Sequence, residues 1–318
     1  MREFRTAAVI GTGMMGPGIG VTLASGGLET TLVSRTEEGA ARGLAKAREQ
    51  VAFLERHGLM DSGEAARASG LLRASADFEQ AAGGADIVIE SAPEDLRFKQ
   101  DLFARLDRIA PEAVLASNTS SLSITAIATG CRRRQRVLTT HFWNPPHLMP
   151  LVEIVCGAET APEVSAAVRR LLVRCGKTAV LVKQDRPGQL GNRLQMALWR
   201  EAVHIVAEGI ADPEDVDLAA QTGFGLRLPV YGIFEHADGV GLDLVHAVMD
   251  YTARDLYSRP EAPPLLKQKV ERGELGVKTG RGFYDWSEKS FAEVAARRDR
   301  FLVEFLRARR RDGSGPPV

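Results

Sequence analysis

The run Gly11-Thr12-Gly13-Met14-Met15-Gly16 directly follows four apolar residues, 7–10, and is itself followed by Pro17-Gly18-Ile19-Gly20. Few local sequences restrict a fold so tightly. A buried strand has to end in a tight turn, and a helix has to start at once and close by. Gly11 permits the turn, Gly13 lets a ligand approach the backbone, and Gly16 lets the helix pack against the strand. Pro17 is tolerated because a missing N–H in the first turn breaks no intrahelical bond. Free amides and the dipole at such a helix start attract phosphate. Gly11, Gly13, Met14, Met15 and Gly16 are therefore candidate contacts to a dinucleotide.

The pattern continues as alternating strands and helices. Strands are expected at 30–33, 71–74, 85–89, 114–117, 137–142, 151–155 and 179–182. Amphipathic helices are expected between them, including a long excursion at 37–69 that breaks near His57-Gly58. Such alternation predicts an α/β fold, a Rossmann-type, doubly wound, mostly parallel sheet. After Pro187-Gly188 the pattern turns helical throughout, at 192–208, 213–221, 230–257, 261–272 and 291–309. Two domains follow: residues 1–184 binding a dinucleotide, and a helical domain over 185–318. The basic, then Gly/Pro-rich stretch 307–318 reads as a frayed end.

Ligands of open α/β sheets bind at the carboxyl ends of the strands. Ser34, Arg35 and Thr36 end the second strand. A hydroxyl and a guanidinium suit a 2′-phosphate better than a free ribose diol, so NADP is favoured over NAD. Glu90, Ala92 and Glu94 follow the fourth strand, and Ser117-Asn118 end the fifth. Lys99 lies about one turn beyond Glu94, close enough for an ion pair.

Composition excludes several other classes. The 41 basic and 41 acidic side chains cancel, which argues against a nucleic-acid partner. Cys131, Cys156 and Cys175 have no metal-ligand spacing and suit free thiols in a reducing compartment. No metal is expected. No stretch approaches the roughly 20 apolar residues of a membrane span, and the N-terminal residues do not form a signal peptide. The expected setting is cytoplasmic.

Moving a hydride requires a partner group that moves the proton. His141 ends an apolar strand, and free imidazole titrates near neutrality, at about 6.5. Glu153 lies in the next strand and reaches His141 if the two strands are neighbours, orienting the ring and stabilising its charged form. Ser120 and Asn192 offer a hydroxyl and an amide to the reacting oxygen. Each also has a plain structural use: His141 as a core residue, Glu153 as a strand-edge carboxylate, Ser120 and Asn192 as helix caps.

The segments Ser-Asn-Thr-Ser-Ser-Leu at 117–122, His-Phe-Trp-Asn-Pro-Pro at 141–146 and Leu-Val-Glu at 151–153 belong together with Asp-Arg-Pro-Gly and Asn-Arg within 185–193. With the closing Gly-Val-Lys-Thr-Gly-Arg-Gly-Phe-Tyr of 276–284, they make the chain resemble the L-3-hydroxyacyl-CoA dehydrogenase family. The resemblance spans nearly the whole chain. It implies a Rossmann domain, a helical C-terminal domain and a homodimer formed through the latter. It further implies His141 as catalytic acid/base, Glu153 as its partner, and Ser120 and Asn192 as substrate contacts. Glu94, Lys99 and Asn118 match positions near the nicotinamide ribose, and Asn144 lies in the matching active-site loop.

The chain departs from that pattern at two positions. Ser34 stands where the family usually has an acidic residue, and Gln189 stands where it usually has an aromatic one. The helices of 37–67 are mixed in charge and offer no evident basic site for CoA. The family includes relatives acting on free hydroxy acids, such as the gulonate and carnitine dehydrogenases, and in some of these an arginine in a Gly-x-Arg segment of the helical domain contacts the substrate. Gly225-Leu226-Arg227 matches it, so Arg227 is a candidate carboxylate anchor. The expected activity is oxidoreduction of a 3-hydroxy/3-oxo pair with NAD or NADP. The alternatives are a free hydroxy acid or bulky ketone in place of a CoA thioester, and a catalytically idle, crystallin-like cofactor-binding protein.

Overall fold

The computed structural model describes residues 3–311. Eight strands form one sheet: β1 (Thr6–Ile10), β2 (Glu29–Val33), β3 (Leu72–Ser75), β4 (Ile87–Glu90), β5 (Val114–Ser117), β6 (Val137–Phe142), β7 (Leu151–Cys156) and β8 (Thr178–Val182). Their order is β3-β2-β1-β4-β5-β6-β7-β8. Every pairing is parallel except β6 with β7. The strand order reverses between β1 and β4, the crevice where ligands bind in doubly wound sheets. β4, β5 and β6 are buried along their whole length. Helices cover both faces of a parallel sheet, so such strands read as unbroken apolar runs rather than alternation.

The helices with this sheet are α1 (Gly16–Ser25), α2 (Glu37–Arg56), α3 (Ser62–Leu71), α4 (Phe78–Gly83), α5 (Leu96–Ile109), α6 (Ile124–Ile127) and α7 (Pro162–Arg174). Side chains fix several of the helix starts. Thr36 caps α2 by accepting from Gly39 N, Asp95 caps α5 by accepting from Phe98 N, and Asp61 and Glu64 form a reciprocal capping box at α3. On α2, Val51 and Leu54 are buried and Leu44 packs against the same core, the stripe expected from their spacing.

The remaining helices are α8 (Gly191–Ala207), α9 (Pro213–Thr222), α10 (Phe224–Arg227), α11 (Ile233–Val240), α12 (Leu242–Thr252), α13 (Pro264–Glu271) and α14 (Phe291–Arg311). The single helix expected over 230–257 is two, α11 and α12. Gly241 separates them at φ 97°, a conformation no helix continues through.

The chain divides into two compact units. One holds residues up to Asn192 and those from Arg297 onward; the other is Arg193–Ala296. The return at Arg297 has a packing cause. Val303 of α14 is buried in the core that residues of α1 and α2 also line, and Leu302 and Leu306 pack against the same core. Arg307 donates to His57 O, and Arg310 to Leu59 O and Glu64 Oε2. The stretch to Arg311 is therefore an anchored helix rather than the frayed end expected from its composition. The rest of that expectation, 312–318, lies outside the described residues.

Candidate active site

The glycine loop separates its own structural and ligand-facing needs. Gly11 has φ 106°, and a Cβ on it would meet Ser91 O at 2.4 Å. A Cβ on Gly16 would meet Gly11 O at 1.9 Å. Both glycines are demanded by the protein itself. A Cβ on Gly13 would meet nothing within 4 Å. No protein contact requires glycine there; an open backbone does suit a pyrophosphate. α1 has no side-chain cap, which leaves its first amides for phosphate. Met14 is exposed and Met15 half-buried at the same turn. These residues fit a dinucleotide.

At the end of β2, the Ser34 Oγ lies 2.3 Å from where a Cβ on Gly39 would stand, so it packs on the start of α2. Thr36 caps that helix. Arg35 is exposed, and no hydrogen bond or ion pair holds it among the described residues.

Behind the loop after β4 lies a buried charged network. Glu90 and Lys99 are 0% and 1% exposed, with Nζ and Oε1 2.5 Å apart. Ala92 N donates to the same oxygen at 2.6 Å, and Ser117 Oγ donates to Oε2 at 2.5 Å. Lys99 also lies 3.5 Å from Glu94, the pair expected from spacing, but Glu90 is its nearer partner. Glu94 Oε1 accepts from Thr119 Oγ1, Ser120 N, Ser121 N and Ser121 Oγ. Burial pushes the Glu94 carboxyl up, but the Thr119 bond, Lys99 and Ser121 outweigh it and leave its pKa lowered. Glu94 thus fixes the backbone that carries Ser120. Asn118 Oδ1 accepts from Phe142 N at 2.8 Å, tying the end of β5 to β6.

His141 and Glu153 are directly opposite residues of the antiparallel β6–β7 pair. Opposite residues share a face and lie close. Both are buried, and Nδ1 lies 2.7 Å from Oε2. With Nδ1–H assigned to the carboxylate, Nε2 is the nitrogen left for substrate. Glu153 has three further donors: Trp143 Nε1 on Oε2 at 3.0 Å, and Leu190 N and Gly191 N on Oε1, each at 2.8 Å. Burial raises the Glu153 pKa, yet the bonds from His141, Gly191, Leu190 and Trp143 prevail and hold it below the ordinary carboxylate value.

Glu153 therefore also anchors the start of α8, where Asn192 sits. Asn192 is the second residue of α8 rather than its cap, and its Nδ2 donates to Ser120 O at 3.0 Å. Ser120 is exposed, and its hydroxyl carries no hydrogen bond among the described residues. Gln189 is 3% exposed at φ 55°, with Nε2 3.4 Å from Thr119 O. Asn144 is exposed and precedes a cis proline. His141, Glu153, Ser120, Asn192 and Gln189 are thus joined through one set of contacts. Arg227 belongs to the other unit, where its Nη1 is 3.3 Å from His236 Nε2 and no carboxylate pairs with it among the described residues. Sequence reasoning missed Glu90 as the partner of Lys99, and Trp143.

The family model for the 3-hydroxyacyl-CoA dehydrogenase NAD binding domain matches residues 6–186, and that for its C-terminal domain matches 188–286. The chain belongs to the 3-hydroxyacyl-CoA dehydrogenase family. A probable 3-hydroxybutyryl-CoA dehydrogenase of Bacillus subtilis is 39% identical over 290 residues, covering 91% of this chain and 99% of that one. A 5-formyl-3-hydroxy-2-methylpyridine 4-carboxylate 5-dehydrogenase of Mesorhizobium japonicum is 34% identical over 307 residues, covering 95% and 97%. A crystal structure of a dehydrogenase with that activity, described as an NAD+ dependent dismutase, superposes with a TM-score of 0.88 at 33% identity, over 96% of this chain and 98% of that one. Family membership makes this chain an NAD-binding oxidoreductase of the 3-hydroxyacyl-CoA dehydrogenase type. No described helix is long and apolar enough to cross a membrane.

Proposed function

We propose that the protein interconverts a 3-hydroxy and a 3-oxo substrate, with His141 as general acid/base. The carrying observation is the buried His141–Glu153 pair, which engages Nδ1 and leaves Nε2 without a hydrogen-bond partner among the described residues. The glycine loop, Ala92, Glu94 and Asn118 would hold the dinucleotide, with Lys99 acting through Glu94. When bound, that cofactor supplies the hydride acceptor or donor. In oxidation Nε2 takes the hydroxyl proton, and Glu153 stabilises the imidazolium that forms. In reduction the same nitrogen returns the proton. Ser120 Oγ and the Asn192 amide orient the reacting oxygen. Replacing His141 by Ala should lower kcat by roughly 10²–10⁴-fold while dinucleotide binding persists; turnover near wild type would sink the assignment.

Ser34 and exposed Arg35 support a preference for NADP within this dinucleotide site. A second reading of substrate also has support. The relative acting on a pyridine carboxylate matches nearly full length, and Arg227 offers a guanidinium without a carboxylate partner among the described residues. On this reading the substrate is a free carboxylate. Initial rates with acetoacetyl-CoA and with a non-CoA 3-oxo acid separate the two, and a large preference for the CoA ester removes the second.

The helical unit supports a homodimer. Pro263 is its one buried residue in Arg193–Ala296, whereas Trp199, Phe224, Phe234 and Tyr251 are exposed. Apolar surface on that scale marks an interface, and a second copy is the occupant the family resemblance implies. Sedimentation at micromolar concentration should give a dimer; a monomer would refute it.

A further inference from the structure

Trp143 lies two residues beyond His141, just past β6. Its ring is held in one place. A Cβ on Gly191 would come within 2.6 Å of Trp143 Cζ2, so glycine at 191 is what lets the indole lie against the start of α8. The Trp143 and His141 ring centroids are 5.6 Å apart, with planes tilted by 55°. In that position the indole N–H meets the same Glu153 oxygen, Oε2, that receives His141.

A carboxylate oxygen shared by two donors holds each less strongly than it would hold one alone. We propose that Trp143 is a positioning residue whose indole N–H competes with His141 for Glu153 Oε2, and so sets the pH range over which the dyad exchanges its proton. The inference rests on His141 being the acid/base group.

Trp143→Phe keeps an aromatic ring at this position and removes the N–H donor. Among the described residues Glu153 is the one charged side chain bonded to the imidazole. On the β5 side Ser117 and Asn118 are neutral, while Glu94 and the Glu90–Lys99 pair stand behind Thr119–Ser121. Asp185 is bonded to Ser123 at α6, and α8 presents backbone amides.

The test follows the His141 imidazole by NMR on the full chain labelled at histidine, with His141→Ala identifying its signal among six histidines. In Trp143→Phe the titration midpoint should move up by about half to one pH unit. Biosynthetic replacement of tryptophan by 5-fluorotryptophan, a stronger N–H donor, should move it down. This second arm leaves the ring in place and decides the matter if the Phe variant fails to fold. Midpoints unchanged in the arms that fold overturn the proposal. Turnover of the His141→Ala chain with NADH and either 3-oxo substrate reports separately on the acid/base reading. If the midpoints shift while that variant stays active, the hydrogen-bond competition stands and the catalytic role falls. If the variant is inactive and the midpoints stay put, only the Trp143 inference falls.

Discussion

Glu153 faces His141 across the β6–β7 pair with one carboxylate oxygen and holds the first amides of α8 with the other. One side chain thus orients the imidazole and places the helix that carries Asn192. Replacing it by glutamine turns an acceptor-only group into one with an amide facing N–H donors. Glu153→Gln should lower kcat by at least about 10²-fold and cost on the order of 2 kcal/mol of stability. Steady-state rates and urea unfolding would show both. Loss of rate without loss of stability would mean that the α8 contact carries no weight.

The same residue links stability to pH. Its folded pKa lies below the ordinary carboxylate value of 4.5. The unfolded chain therefore takes up a proton first as pH falls. The stabilisation is complete above the ordinary value and is lost as pH drops through the lower folded one. Wild type should lose more stability than Glu153→Gln between about pH 6 and about pH 3, measured by denaturant midpoints. Parallel losses would contradict the argument.

Two glycines of one loop should fail differently. Gly16→Ala forces a Cβ onto Gly11 O and should destabilise by roughly 2–4 kcal/mol. Gly13→Ala has room, so its melting temperature should stay near wild type while NAD binding weakens by about ten-fold. Calorimetry and dinucleotide titration read the two effects. Normal cofactor affinity in Gly13→Ala would remove Gly13 from the dinucleotide site.

Ser34→Asp restores a carboxylate where a ribose diol is bound in NAD-dependent folds. The ratio of kcat/KM for NADPH over NADH should fall by roughly ten-fold or more. An unchanged ratio would leave Ser34 and Arg35 with no part in cofactor choice.

Lys99→Met strands Glu90 without its cation in a fully buried setting. Breaking such a pair from one side costs about 3–5 kcal/mol. The loop after β4 should loosen with it, raising hydrogen exchange at Ser120 and Ser121. Exchange at wild-type rates would separate the ion pair from the placement of that loop.

Sequence carried far where the constraint was local. Gly11 and Gly16 were readable because a turn and a close helix leave no room for Cβ. His141 with Glu153 is readable only conditionally, since their pairing depends on the register of β6 against β7 across the segment 143–150, which either strand alone leaves open. Trp143 was not readable as a donor, because its partner lies ten residues on and is reached only through that register. Spacing predicts the Lys99–Glu94 pair, which is present; the nearer Glu90 is invisible to it because α5 turns Lys99 inward onto β4. The Gly241 break was hidden because apolar spacing continues across it. The return of α14 was hidden because its basic face masks the stripe of Leu302, Val303 and Leu306.

That return has a consequence during synthesis. The apolar floor under α1 and α2 is completed by Val303, translated after the entire helical unit. Until α14 is made, the core shared by α1 and α2 lacks the cover of Leu302, Val303 and Leu306. The first unit is thus completed by the last part of the chain to be translated, so removing α14 should expose apolar surface on α1 and α2.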